Sequence, residues 1–154
     1  MLEEKRRLLV VESRVHADLA DALLAGARKA IEAADAEHDV VTAPSALEIP
    51  GVIATAEEGG HRPAGVRYDG YIALACVIRD ETYQFNVMAH ETARGLMDLQ
   101  IGRRLVIGNG ILNVDTAEQA WTRVRAPGGG KGAEAARACL DMIVLKRKLL
   151  GATR

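Results

Sequence analysis

The run Tyr71-Ile-Ala-Leu-Ala-Cys-Val-Ile78 is apolar without a break and stops abruptly at Arg79-Asp-Glu-Thr82. An amphipathic segment follows at once, with Phe85, Met88, Thr92, Leu96 and Leu99 along one stripe. A strand that is apolar at every position suits burial on both faces, as in parallel sheets flanked by helices. The polar stop then marks the carboxyl end of a buried parallel strand feeding the amino terminus of a helix. Ligands in open α/β sheets collect at such a corner, because free backbone N–H groups and the helix dipole favour an anion.

Strand and helix signals alternate along the rest of the chain. Leu-Leu-Val-Val within residues 7–12 predicts a first strand. Leu19, Leu23, Ala27, Ile31 and Ala34 recur at helical spacing and predict a helix over residues 17–36. Residues 39–43 form a β-branched run that Pro44 and Ser45 break. A helix is predicted from about Pro50 to Gly59-Gly60, followed by a loop to Gly65. Beyond the central strand at 71–78, the spacing predicts a helix stopping before Gly102, a strand over 104–108, and helices over 115–125 and 132–150. The Pro127-Gly-Gly-Gly130 loop separates the last two. Alternating elements imply a three-layer α/β/α sandwich around a flavodoxin-like parallel sheet, with sites at the carboxyl ends of its strands.

The 154 residues carry no repeat or linker, so a single domain over residues 1–154 is expected. A formal net charge of −1 gives no reason to expect nucleic acid or an acidic membrane as partner. The basic residues Lys5, Arg6 and Arg7 precede only a four-residue apolar run before Glu12, too short for a signal peptide. No stretch approaches a membrane-spanning length. Cys76 and Cys139 fall in a predicted strand and a predicted helix, which points to two buried free thiols and a cytoplasmic setting.

Four predicted strand ends remain as places for chemistry: residues 13–16, 44–49, 78–84 and 108–113. Each alone reads as an ordinary turn needing small or polar residues. Together, Ser13-Arg-Val-His16, Ser45-Ala-Leu-Glu-Ile-Pro50, Cys76-Val-Ile-Arg-Asp-Glu-Thr82, Ala117-Glu-Gln-Ala120 with Arg123, and Lys131-Gly-Ala-Glu-Ala-Ala136 resemble the successive motifs of lumazine synthases. The resemblance covers almost the whole chain in the family's order and spacing. It implies a transferase of riboflavin biosynthesis that joins 5-amino-6-ribitylamino-uracil to 3,4-dihydroxy-2-butanone 4-phosphate, releasing phosphate and water. It also implies no metal or organic cofactor, and a homo-oligomer, a pentamer or a multiple of pentamers, with sites between neighbouring subunits.

Residue by residue, the resemblance gives Ala46, Leu47 and Glu48 the pyrimidine and its ribityl chain. Cys76, Val77 and Ile78 would offer backbone groups to the ring edge. Glu81 and Thr82 would open the helix where phosphate binds, although Thr82 alone is an ordinary amino-terminal cap. Asn109 would face the pyrimidine from the neighbouring subunit. Arg123 would reach the phosphate with its guanidinium fork, supported by Lys131.

The chain departs from the family's pattern at several of these corners. Gln84 stands where a proton-shuttling histidine is usual, and glutamine cannot titrate near neutral pH. Loss of acid–base help costs roughly 10²–10⁴-fold in rate, while positioning of two reactants is a separate contribution. Asp80 stands at a position commonly glycine, where a carboxylate repels phosphate unless it turns outward or pairs with Arg79. Val15 replaces a stacking aromatic in a chain with one Phe, one Trp and three Tyr. His90 lies about 120° around the predicted helix from Gln84 and is poorly placed to substitute. His16 ends the first strand on the same sheet edge and is better placed. Two other readings stay open: an oligomeric shell or assembly protein with impaired chemistry, natural or engineered, and a binder of flavin or a flavin precursor.

Overall fold

The computed structural model describes residues 4–151. In chain order the elements are β1 (Arg7–Ser13), α1 (Ala17–Ala33), β2 (Glu37–Ala43), a 3-10 turn (Ala46–Glu48), α2 (Ile49–Gly60), β3 (Gly70–Ile78), α3 (Gln84–Arg103), β4 (Ile107–Val114), α4 (Ala117–Val124) and α5 (Gly130–Leu149). The four strands form one sheet in the order β2-β1-β3-β4, and every neighbouring pair is parallel. The α/β expectation is met, with the helices divided between the two faces.

The period-2 rule of strands decides which residues serve which face. Leu8 and Val10 of β1, Ile72 and Leu74 of β3, and Leu112 and Val114 of β4 pack against α1, α4 and α5. Leu9, Val11, Tyr71, Ala73, Ala75, Val77 and Ile107 face the opposite layer, where α2 and α3 lie. The apolar run of β3 thus feeds two cores at once. Full burial of an aliphatic side chain such as Ile72 contributes roughly 1.5–3 kcal/mol.

The last strand lies further along the chain than its sequence suggests. Residues 104–108 are the predicted strand, but Arg104 adopts a left-handed conformation (φ 54°) that ends α3. β4 instead runs through Gly108-Asn-Gly110, residues whose composition reads as a turn. The glycines are there because α5 presses on the strand. A Cβ at Gly108 would run into the Ala135 carbonyl, and one at Gly110 would meet the Leu74 side chain. The corner expected at 108–113 is therefore mid-strand, paired with β3 from Ile72 to Val77. The real strand end is at Val114.

Helix ends moved by smaller amounts. α1 stops at Ala33, short of 36, because Asp35 turns the chain with φ 54°. α3 continues past Gly102 to Arg103. Pro50 sits in the first turn of α2, where its missing N–H costs nothing. The Thr116 hydroxyl accepts the Gln119 N–H at 3.2 Å and starts α4.

Two positions have sharp energetic consequences. α1 and α5 touch backbone to backbone, so a Cβ at Gly132 would overlap the Leu23 carbonyl. Gly132→Val is expected to lower stability by about 1–3 kcal/mol in urea unfolding at fixed protein concentration. On α3, Thr92 is 1% exposed and its hydroxyl has no hydrogen-bond partner among the described residues. Thr92→Val, which removes the orphan hydroxyl at nearly constant shape, is expected to raise stability by about 1 kcal/mol.

Candidate active site

The parallel register places the carboxyl ends of β1, β2 and β3 along one edge of the sheet. A cleft of about 440 Å³ opens there. Ser13, Val15 and His16 line it from the β1–α1 corner, and Ser45 and Ala46 from the end of β2. The β3–α3 corner supplies Cys76 to Asp80, together with Gln84, Phe85 and Met88. Eight of the site candidates singled out in the sequence thus meet in one place: Val15, His16, Ala46, Cys76, Val77, Ile78, Asp80 and Gln84.

Leu47 and Glu48 lie on the other side of the 3-10 turn. They line a separate, mostly aliphatic groove of about 730 Å³ beside β2 and α2, with Val41, Val52, Val66 and Tyr68. The Ser45 hydroxyl bonds the Glu48 carboxylate at 2.5 Å and accepts the Leu47 N–H at 3.3 Å, which fixes the turn. Glu81 and Thr82 are exposed in the bend before α3, which starts at Gln84 with Tyr83 as its cap residue. Thr82 therefore does not cap the helix but donates to Asp80.

Three residues stand apart from the cleft of their own chain. Asn109 is exposed on β4, where its side chain accepts the Ile111 N–H at 2.9 Å. Arg123 is exposed in the last turn of α4. Lys131, at the start of α5, pairs with Glu134 at 3.2 Å.

The electrostatics of the β3–α3 corner are set by Asp80 and Arg79. Asp80 neither pairs with Arg79 nor leaves the helix start alone. Its Oδ1 accepts both the Thr82 N–H, at 2.9 Å, and the Thr82 hydroxyl, at 2.8 Å. Those bonds hold its carboxyl below the usual carboxylate range, so it is ionised at neutral pH. Arg79 instead donates to Asp115 at 2.6 Å, its guanidinium 4.5 Å from the Phe85 ring centroid. On β1, the buried Glu12 carboxylate is held by Arg14 at 3.0 Å and by the Thr42 hydroxyl at 3.3 Å. Arg14 also pairs with Asp21.

Of the other histidines, His90 is exposed on α3 and does not line the cleft, in keeping with its angular offset from Gln84. His38 accepts from Arg28 Nε at 3.3 Å, and His61 lies against Glu57 at 3.2 Å. Burial is the main cause that lowers the His38 pKa.

The sequence model of 6,7-dimethyl-8-ribityllumazine synthase matches residues 5–147 of this chain. The chain belongs to the lumazine synthase family. A 6,7-dimethyl-8-ribityllumazine synthase from Agrobacterium fabrum is 54% identical over 147 residues, covering 96% of this chain and 99% of that protein. The synthase 1 of Rhizobium meliloti is 53% identical over 142 residues, 92% of each chain. That of Mesorhizobium japonicum is 51% identical over 145 residues, 94% of this chain and 88% of the relative. The lumazine synthase motifs at β1, β2 and β3 are thus the same segments that converge on the cleft.

Phe85 and Met88 on the floor, and the Asp80–Thr82 bonds, were not legible as site features. A side chain's direction at a helix start depends on the turn before it.

The thiol of Cys76 is pushed up to about 11 and that of Cys139 to about 12, chiefly by burial. Both cysteines are free. The folded chain keeps these protons where the unfolded chain has released them. Their contribution is therefore intact below about pH 9, the ordinary thiol value, and is lost as pH rises toward 11–12. Iodoacetamide at pH 8 is expected to leave both thiols largely unmodified in the native protein and to label them in urea. Rapid native labelling of Cys76 would contradict its protonated state.

Proposed function

We propose that the chain catalyses the condensation of 5-amino-6-ribitylamino-uracil with 3,4-dihydroxy-2-butanone 4-phosphate to 6,7-dimethyl-8-ribityllumazine, a step of riboflavin biosynthesis. The observation that carries this reading is the convergence of Val15, Ala46, Cys76–Ile78 and Gln84 on one cleft in a chain of this family. The strand ends offer backbone groups to a flat heterocycle, and no metal or organic cofactor is invoked. A cytoplasmic enzyme fits a chain in which no described helix is long and apolar enough to cross a membrane.

We further propose that the working site spans two subunits of a homo-oligomer, a pentamer or a multiple of pentamers. Asn109, exposed on β4, would then meet the pyrimidine bound in the cleft of a neighbour. Leu47 and Glu48 would hold the ribityl chain from the rim of the adjoining groove. Glu81, Thr82 and Arg123 would bind the phosphate, with Lys131 adding positive charge nearby.

Asp80 bears directly on that phosphate. It already takes the Thr82 N–H and hydroxyl, the groups an incoming phosphate would use. Substrate must displace a carboxylate that repels it. Gln84 can hold a substrate oxygen or amine by hydrogen bonds but cannot carry a proton.

Formation of lumazine from the two substrates, followed by its absorbance, tests the reading; no product above the uncatalysed background at saturating substrate would overturn it. Asp80→Gly is expected to lower KM for the sugar phosphate roughly 2–5-fold, by freeing the helix start. Arg123→Ala is expected to raise that KM roughly 10–100-fold, the scale of a lost charge-assisted hydrogen bond, with little change for the pyrimidine. Native mass spectrometry is expected to show pentamers or their multiples.

A further inference from the structure

We infer that His16 is a catalytic residue of this chain, the proton carrier of the condensation, an assignment that rests on the activity proposed above. The chemistry needs a group that both gives and takes a proton near neutral pH. The pyrimidine amine attacks the carbonyl carbon of the sugar phosphate, and an N–C bond forms as an N–H proton moves to oxygen. An imidazolium then protonates that hydroxyl, which leaves as water to give an iminium. The neutral imidazole next takes the proton from the neighbouring carbon. That C–H electron pair becomes a C=C bond while the C–O bond to phosphate breaks, and phosphate leaves with its pair. The imidazolium is regenerated.

The side chains around the cleft leave one group suited to this cycle. Gln84 has no titratable proton. The Cys76 thiol is pushed up to about 11 by burial and stays protonated. Arg79 is paired with Asp115, and a guanidinium does not release its proton. Asp80 is held ionised by Thr82. His16 alone among the side chains lining the cleft is of the type that changes charge between about pH 5 and 8.

Its placement supports the role. His16 precedes the first turn of α1 with extended backbone (φ −112°, ψ 90°), and its ring makes no capping bond to that helix. Among the described residues, no side chain hydrogen-bonds to the ring; only its carbonyl is engaged, by the Ala20 N–H at 2.9 Å. β1 pairs directly with β3, so its corner stands beside the Cys76–Ile78 edge. The ring is half-buried, open both to the cleft and to proton exchange with solvent.

Nearby carboxylates are largely occupied elsewhere. Glu12 and Asp21 belong to Arg14, Glu48 is bonded to Ser45, and Asp80 to Thr82. Asp18 in the first turn of α1 and Glu81 in the exposed bend before α3 complete the acidic groups of the surrounding corners. Arg79, the cation of the β3–α3 corner, is paired with Asp115.

The test uses the full chain and compares it with His16→Ala and with His16→Ala/Gln84→His. His16→Ala is expected to lower kcat roughly 10²-fold or more, with KM for the pyrimidine within about twofold. The alkaline limb of its pH–rate profile, where the starting imidazolium is lost, should vanish. Imidazole added to the buffer should restore part of the rate in a concentration-dependent manner, an effect that a purely structural role of His16 would not produce. The added histidine of the double variant should also recover activity, because it restores a proton carrier across the same cleft. Calorimetric binding of the pyrimidine to His16→Ala at unchanged affinity excludes misfolding as the cause. If the unmodified chain makes product and His16→Ala keeps both its kcat and the alkaline limb, the assignment is overturned and the activity stands. If the unmodified chain makes no product, the activity itself falls and the assignment falls with it.

Discussion

Burial of β3 on both faces is the constraint from which the rest of this structure follows. Tyr71, Ala73 and Ala75 face one layer of helices while Ile72 and Leu74 face the other. A strand sealed in this way has no water for its backbone, so its N–H and C=O groups must be paired along both edges. β1 and β4 do this in parallel register. Parallel pairing in turn forces each connection to cross back over a face, and this places α1, α2 and α3 where they lie. The carboxyl ends of three neighbouring strands then fall on one edge, and a cleft of mixed polar and apolar lining forms there without further design.

The chemistry of that cleft depends on which groups are already occupied within the chain. Asp80 engages the Thr82 N–H and hydroxyl, and Arg79 is turned away to Asp115 and Phe85. The corner proposed to meet the phosphate therefore presents a carboxylate that repels it. The strong cation assigned to that anion, Arg123, lies on α4, outside the cleft of its own chain. The proposed site, completed across a subunit boundary, would reconcile the two observations. It would separate a heterocycle shelf, built on strand ends, from the charges proposed to recognise phosphate.

How far the sequence led differs from element to element. β1 and β3 were read to within a residue at each end from their unbroken apolar runs, and the start of α1 from its helical spacing, though its end lies three residues earlier than expected. β4 was misplaced because Gly108, Asn109 and Gly110 carry the composition of a turn. Their reason is tertiary: Ala135 of α5 and Leu74 of β3 leave no room for a Cβ. At the site, Val15, Ala46, Cys76, Val77, Ile78 and Gln84 were legible through motifs and do line the cleft. Leu47 and Glu48, adjacent in sequence to Ala46, turn to another groove, since a 3-10 turn sends successive side chains in different directions.

By itself the sequence determined the fold class and the family to which the chain belongs. Those follow from periodicity and from ordered motifs, which are local properties of the chain. Only the tertiary structure decided that Asp80 bonds to Thr82 rather than to Arg79, that Gly108 is strand rather than turn, and that His16 faces the same cleft as Gln84. The last two depend on which elements meet in space, and the first on Asp115 drawing Arg79 away from its neighbour. Side chains 68 residues apart become neighbours only once β1 and β3 have paired.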